Sequence, residues 1–313
     1  MSTISRRLFL ERALQGAALA SAAGLTALAP PVAAAREARA QIASTPLTDD
    51  LVLLTGAGCN VLALRAAEGL LLVDGGLERH SAALLREAAR GAPNGRLRVL
   101  FNTHWHPEAI GCNARAAKAG ATIIAHENTR LWLGRPINVD WLEETFQPLP
   151  PKHRPGKTTY KTDTLSFGGE GIVYAYMRQA HTDGDIYVYF KGSNVLATGG
   201  VVSADGWPLL DYQTGGWIGG LVAGYDRLLE VANDSTRVVP GNGPLLTRAD
   251  LEAHRKMYFT IYERLVDCLN GGLSPEETIA KRPAQEFESE WGNPDRFIDS
   301  AFRSLWGHYA PDA

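Results

Sequence analysis

Residues 97–106, LRVLFNTHWH, run an apolar stretch straight into two histidines separated by one residue. The apolar half reads as a buried β-strand rich in Leu and Val. At the extended end of a strand, residues i and i+2 point the same way, so His104 and His106 can present both imidazoles to one cation. Two structural histidines beside Trp105 would give the same pattern, and the segment alone leaves both readings open. Pro107 suits a first helical position, and EAIGCNARAAKAG reads as one short helix stopped by Gly120. ATIIAH is another apolar strand. Together they predict a β-α-β unit whose chemistry sits in the loop after its first strand, where α/β proteins commonly carry their sites.

The flanking sequence extends this pattern. LVLLTGAGCNVLALRAAEGLLLVDGG predicts three short strands punctuated by Gly56, Gly58 and Gly69, and Ser81 to Arg90 a compact helix. TLSFGGEGIVYAYMRQAHTDGD predicts strands ending in His181, and IYVYFKGSNVLATGG a hairpin turning at Gly192, Ser193 and Asn194. STRVVPGNGP predicts a strand that runs into a Gly-rich loop. From Arg248 the apolar residues fall at helical spacing, and SPEETIAKR opens with a capping box, Ser274 with Glu277. No linker interrupts the chain after residue 45. The expectation is one domain over 41–313, with 248–313 a helical C-terminal extension. His181, in AHTDGD, adds a third imidazole. Three histidines converging from strand-end loops make a tetrahedral zinc site with its fourth position open to water, the catalytic rather than the structural arrangement.

THWHPE, AHTDGD, ATGG and VPGNGP, in this order and spacing, resemble the motifs of the metallo-β-lactamase superfamily, and LLLVDGG resembles its early V-D-G-G segment. The resemblance spans nearly all of residues 50 to 245. It implies an α/β fold, a four-layer αββα sandwich with metals at one sheet edge. It also implies hydrolysis of β-lactams, thioesters, lactones, or phosphate and sulfate esters. His104, His106 and His181 match the three ligands of the family's first metal site. The second site departs from the pattern. Glu108 replaces an Asp, Ala109 a His, Gly200 the Asp that bridges both metals, and Asn242 the final His. Ala and Gly offer no side-chain donor, and an amide oxygen is a poor zinc ligand beside imidazole. One zinc per chain is therefore expected, with Asp183, Asp185 or a cysteine as the alternative source of a second-site ligand.

The neighbouring residues take roles from this arrangement. Glu108 is a candidate general base or proton shuttle, against the plainer reading of a carboxylate favoured near a helix start. Asp185 is a candidate partner that orients His181, against a loop Asp bonding its own backbone. By the family pattern Asp74 braces the metal loops. Asn242, Trp207 and Trp217 are candidate substrate contacts, the tryptophans standing among glycines just after position 200, although such aromatic clusters also build cores. His126 reads as a satisfied strand-end histidine, and His80, His153, His254 and His308 have no partner motif.

Residues 5–40, SRRLFLERALQGAALASAAGLTALAPPVAAAREARA, combine a charged start, a weakly apolar run and a small-residue exit, which together read as an export signal. Arg6 and Arg7 before Phe9 and Leu10 resemble a twin-arginine signal, whose export machinery carries folded proteins. Cleavage is expected at Ala38-Arg39-Ala40, with Ala33-Ala34-Ala35 the alternative. The protein is then periplasmic or secreted, without a stable membrane anchor. Cys59, Cys112 and Cys268 form no legible disulfide framework and read as free thiols. A formal net charge of -3 gives no basic excess to recruit nucleic acid. The expected activity is an exported, single-zinc hydrolase acting on the ester, thioester, lactone or β-lactam carbonyl of a small-molecule substrate. The alternative is a non-catalytic periplasmic binding protein that keeps the fold.

Overall fold

The computed structural model describes residues 41–139 and 143–309. The expected export signal at 1–40 lies outside the described residues. No described helix is long and apolar enough to cross a membrane.

The first sheet opens with three antiparallel pairings. They link β1 (Ala43–Pro46), β2 (Leu51–Thr55), β3 (Val61–Ala66) and β4 (Gly69–Val73). Helix α1 (Ser81–Ala88) then crosses over to β5 (Leu97–Phe101), which pairs parallel with β4. Two short helices, α2 (Pro107–Ile110) and α3 (Asn113–Ala119), lead to β6 (Thr122–His126), followed by α4 (Glu127–Trp132). A separate hairpin joins β7 (Ile137–Val139) and β8 (Glu144–Phe146), and β9 (Lys157–Thr159) completes the sheet in parallel beside β6. The second sheet runs β10 (Thr162–Phe167), β11 (Glu170–Met177), β12 (Asp185–Phe190), β13 (Val195–Ala197) and β14 (Arg237–Val239). Its helices are α5 (Ile218–Val231), α6 (Arg248–Asn270), α7 (Pro275–Ala280), α8 (Glu288–Trp291) and α9 (Asp295–Tyr309).

Side-chain alternation along the strands sorts the apolar residues into three layers. Leu51 and Leu53, Leu62 and Leu64, and Leu71 and Val73 face the second sheet, where Ile172, Tyr174, Ile186 and Val188 meet them. Their neighbours Val52 and Leu54, Val61 and Ala63, and Leu70 and Leu72 face outward onto Leu84, Ala88 and Ala116 of α1 and α3. Ala175, Met177 and Tyr187 point to the far side of the second sheet, under α5, α6 and α9. The result is the four-layer αββα sandwich with a helical C-terminal part.

Local differences from the sequence expectation have physical causes. The single helix expected after Pro107 is two, because Gly111 breaks off to donate its N–H to Gly76 O. Strand β11 stops at Met177, so His181 stands in the loop between β11 and β12. Helix α5 was not anticipated. Its apolar positions Ile218, Leu221, Tyr225 and Leu228 have helical spacing, but Gly219, Gly220 and Gly224 depress the helical signal.

Candidate metal centre

His104 and His106 leave the end of β5, and His181 hangs between β11 and β12, so the edges of both sheets feed one point. All three imidazoles are buried, and one ligand nitrogen from each falls within 4.8 Å of the others. Among the described residues this is the group of His, Cys, Asp or Glu side chains arranged to hold a metal ion.

The hydrogen bonds around the histidines set which nitrogens are free. The Thr103 hydroxyl donates to Asp74 Oδ2 at 2.8 Å and so is left to accept from His104 Nδ1, 2.9 Å away. The proton on His104 therefore sits on Nδ1, leaving the Nε2 lone pair bare. His104 Nε2 is buried and has no hydrogen-bond partner. His106 Nε2 lies 3.0 Å from Asp211 Oδ2 and donates to it, which leaves Nδ1 free. Asp211 is itself fixed by Trp105 Nε1 at 3.2 Å and by the Thr214 hydroxyl and amide. Asp185 holds the third loop, its Oδ2 accepting the amides of His181 and Thr182 at 2.7 Å each. Its Oδ1 lies 3.4 Å from His181 Nδ1. A carboxylate thus stands behind His104, through Thr103, and behind His106, as metal-ligating histidines commonly have, whereas buried His181 Nδ1 has no hydrogen-bond partner.

The electrostatics follow the same division. Burial pulls His104 down to about 4, against the opposing pull of Glu108. Burial also depresses His106, but the carboxylates of Asp211 and Glu108 outweigh it and lift the group to about 10. Burial raises Asp74 to about 7 despite its two bonds from Thr103. Burial disfavours the charge on Glu108, yet the two neighbouring imidazoles hold it well below the usual carboxylate range. A bare buried lone pair on His104 beside converging imidazoles fits a bound cation. Histidines, rather than oxygen ligands, favour zinc or a similar transition metal.

The other candidate residues are placed as follows. Glu108, in the first turn of α2, puts Oε1 3.6 Å from both His104 Nε2 and His106 Nδ1, with 29% of its side chain exposed. Asn242 is exposed, and its carbonyl accepts the amide of Ala204. Trp207 stacks on Phe297 and donates to Gly292 O, while Trp217 stacks on His308 at 3.5 Å. Both tryptophans pack against the C-terminal helical layer. Cys59, Cys112 and Cys268 are free thiols. Asp211 and Thr103 escaped sequence reasoning, since a lone Asp in PLLDYQTGG carries no metal-site spacing. A cavity of about 350 Å³ adjoins the histidine loop, walled by Trp105, Pro107, Ile110, Trp132 and Phe146, with Arg135 over the Trp132 ring.

A profile of the metallo-beta-lactamase superfamily matches residues 54–245, well over half of the chain. The chain belongs to the metallo-β-lactamase superfamily. Solved superfamily structures agree in fold. A metallo-beta-lactamase from Pontibacter korlensis is 19% identical at a TM-score of 0.55, covering 70% of this chain and 99% of that one. The stereoselective inverting sec-alkylsulfatase Pisa1 from Pseudomonas sp. is 16% identical at 0.60, covering 87% of this chain and 51% of that one. No curated protein matches the chain. Where the superfamily pattern has the ligands of a second site, this chain has Glu108, Ala109, Gly200 and Asn242. A Cβ on Gly200 would lie 2.5 Å from His181 Cε1 and Nδ1, so a side chain at this position would meet the His181 ring. Ala109 is fully buried, its carbonyl bonded by Asn102.

Proposed function

We propose that the protein is an exported hydrolase that holds a single zinc at His104, His106 and His181 and adds water to an ester, thioester, lactone or β-lactam carbonyl. The observation that carries this reading is the pair of nitrogens, His104 Nε2 and His106 Nδ1, left free by Asp74 through Thr103 and by Asp211. A zinc bound there supplies Lewis acidity and acidifies water to a pKa of about 7. The chain supplies the rest. Glu108 is ionised at neutral pH, faces both free nitrogens and reaches solvent, so it can take a proton from water and return it to the leaving group. Asp211 keeps the His106 ring from turning away, and Asp185 fixes the backbone that carries His181. The cavity beside Trp105 and Pro107 is lined mainly by apolar side chains and suits the apolar part of a small-molecule substrate. Residues 1–40 act as a twin-arginine signal that delivers the folded protein to the periplasm or beyond.

Elemental analysis and a hydrolysis panel test this together. One equivalent of zinc per mature chain is expected, with His104→Ala abolishing both zinc binding and turnover of at least one ester, thioester, lactone or β-lactam. Two equivalents of zinc would overturn the single-metal assignment. Turnover unchanged in His104→Ala, or none in the zinc-loaded wild type, would overturn the hydrolase.

A further inference from the structure

We propose that Glu108 is the fourth ligand of the same metal, so that the site is closed in the resting protein. This rests on the triad binding zinc as proposed above. In a tetrahedral site with bonds of about 2.0–2.1 Å, neighbouring donor atoms are separated by about 3.3–3.5 Å. Glu108 Oε1 stands 3.6 Å from His104 Nε2 and 3.6 Å from His106 Nδ1. These are the ring nitrogens turned away from Thr103 and Asp211, and the one on His104 has no hydrogen-bond partner. The oxygen therefore stands at about the spacing of a neighbouring donor from two of the three imidazoles.

The chain holds it there by backbone as well as charge. Pro107 starts α2, the Ala109 amide closes back on His106 O, and the Cys59 thiol donates to Glu108 O at 3.0 Å. An Asp at position 108 would fall short by one methylene. The extra length of Glu therefore has a specific consequence: a carboxylate that serves the second site in the superfamily pattern reaches across to the first. Loss of the second site at Ala109, Gly200 and Asn242 and gain of a ligand at the first become one change. Because 29% of the Glu108 side chain is exposed, this carboxylate would be the ligand that could give way to water or substrate and then serve as proton acceptor.

Metal binding by the mature protein separates ligand from bystander without relying on turnover. Zinc dissociation constants from chelator competition, and visible spectra and X-ray absorption of the cobalt(II) form, are compared for wild type, Glu108→Ala, Glu108→Gln and His104→Ala. Circular dichroism checks that each is folded. Glu108→Ala and Glu108→Gln are expected to weaken zinc binding about 10–100-fold and to change the cobalt spectrum. Added acetate should restore the wild-type spectrum in Glu108→Ala by refilling the vacated corner. Dissociation constants and spectra equal to wild type, with no response to acetate, would overturn the fourth ligand while leaving the triad intact. Zinc binding absent from the wild type, or undiminished in His104→Ala, would instead overturn the triad and the proposal with it.

Discussion

At the scale of single residues, the site is defined as much by what Gly200 excludes as by what the histidines supply. Restoring an aspartate there is the obvious route to a second metal, and the geometry argues against it. The new Cβ would sit 2.5 Å from two atoms of the His181 ring, whose backbone is clamped by Asp185 through two amide bonds. One of the two must move, and the imidazole is the freer. Gly200→Asp is therefore expected to weaken zinc binding at the existing site at least tenfold without adding a second equivalent. Chelator competition and elemental analysis check this, and a variant holding two zinc ions at undiminished affinity would contradict it. The ligand triad was legible because H-x-H and AHTDGD carry their spacing on their face. Asp211 was not legible, because its 105-residue separation from His106 is closed only by the fold.

Elements, rather than residues, decide how the loops are held. Helix α5 presses against the His181 loop so closely that a Cβ on Gly220 would meet Gln179 O at 1.9 Å. The glycines that hid this helix from its hydrophobic pattern are the ones that let it clamp the loop. Strand layering was readable for the opposite reason, since period-two alternation in β2, β3 and β4 needs no tertiary information. The junction of β6 and α4 shows a second consequence of packing. His126 caps α4 by accepting the Asn128 amide at Nδ1, and its ring stacks on Tyr176 at 3.9 Å. Burial lowers the imidazole to about 4, against weaker pulls from Asp185 and Glu127. In an unfolded chain it would titrate near 6.5. The unfolded state therefore binds more protons between those values, and stability is lost as pH falls from about 6.5 toward 4. This one group contributes a slope of at most about 1.4 kcal/mol per pH unit. His126→Asn keeps a capping oxygen without a titratable ring, so its urea midpoint should start lower at pH 7.5 yet fall less between pH 6.5 and 5. Parallel profiles for the two proteins would refute the assignment.

For the whole molecule, the question is whether residues 248–313 are an appendage. The metallo-beta-lactamase from Pontibacter korlensis aligns over 99% of its length with 70% of this chain, which invites the view that the C-terminal helices were added to a complete domain. Packing argues otherwise. Leu251, Met257, Tyr258, Ile261 and Leu265 of α6, with Phe297, Ile298, Ala301, Phe302 and Leu305 of α9, share one continuous apolar layer with Met177, Tyr187 and Leu196 of the second sheet. Each large apolar side chain buried contributes about 1.5–3 kcal/mol. Uncovering several of them costs as much as the roughly 5–15 kcal/mol by which a domain is typically stable. Helix α5, which clamps His181, would lose its outer cover in the same step. A chain ending at residue 247 is thus expected to be soluble only in part, to bind hydrophobic dyes and to unfold without a cooperative transition. Zinc binding should be lost with it. Calorimetry and dye binding on residues 41–247 beside residues 41–313 check this. A truncated protein that melts cooperatively within a few degrees of the longer one, with zinc still bound, would show that the helices are dispensable after all.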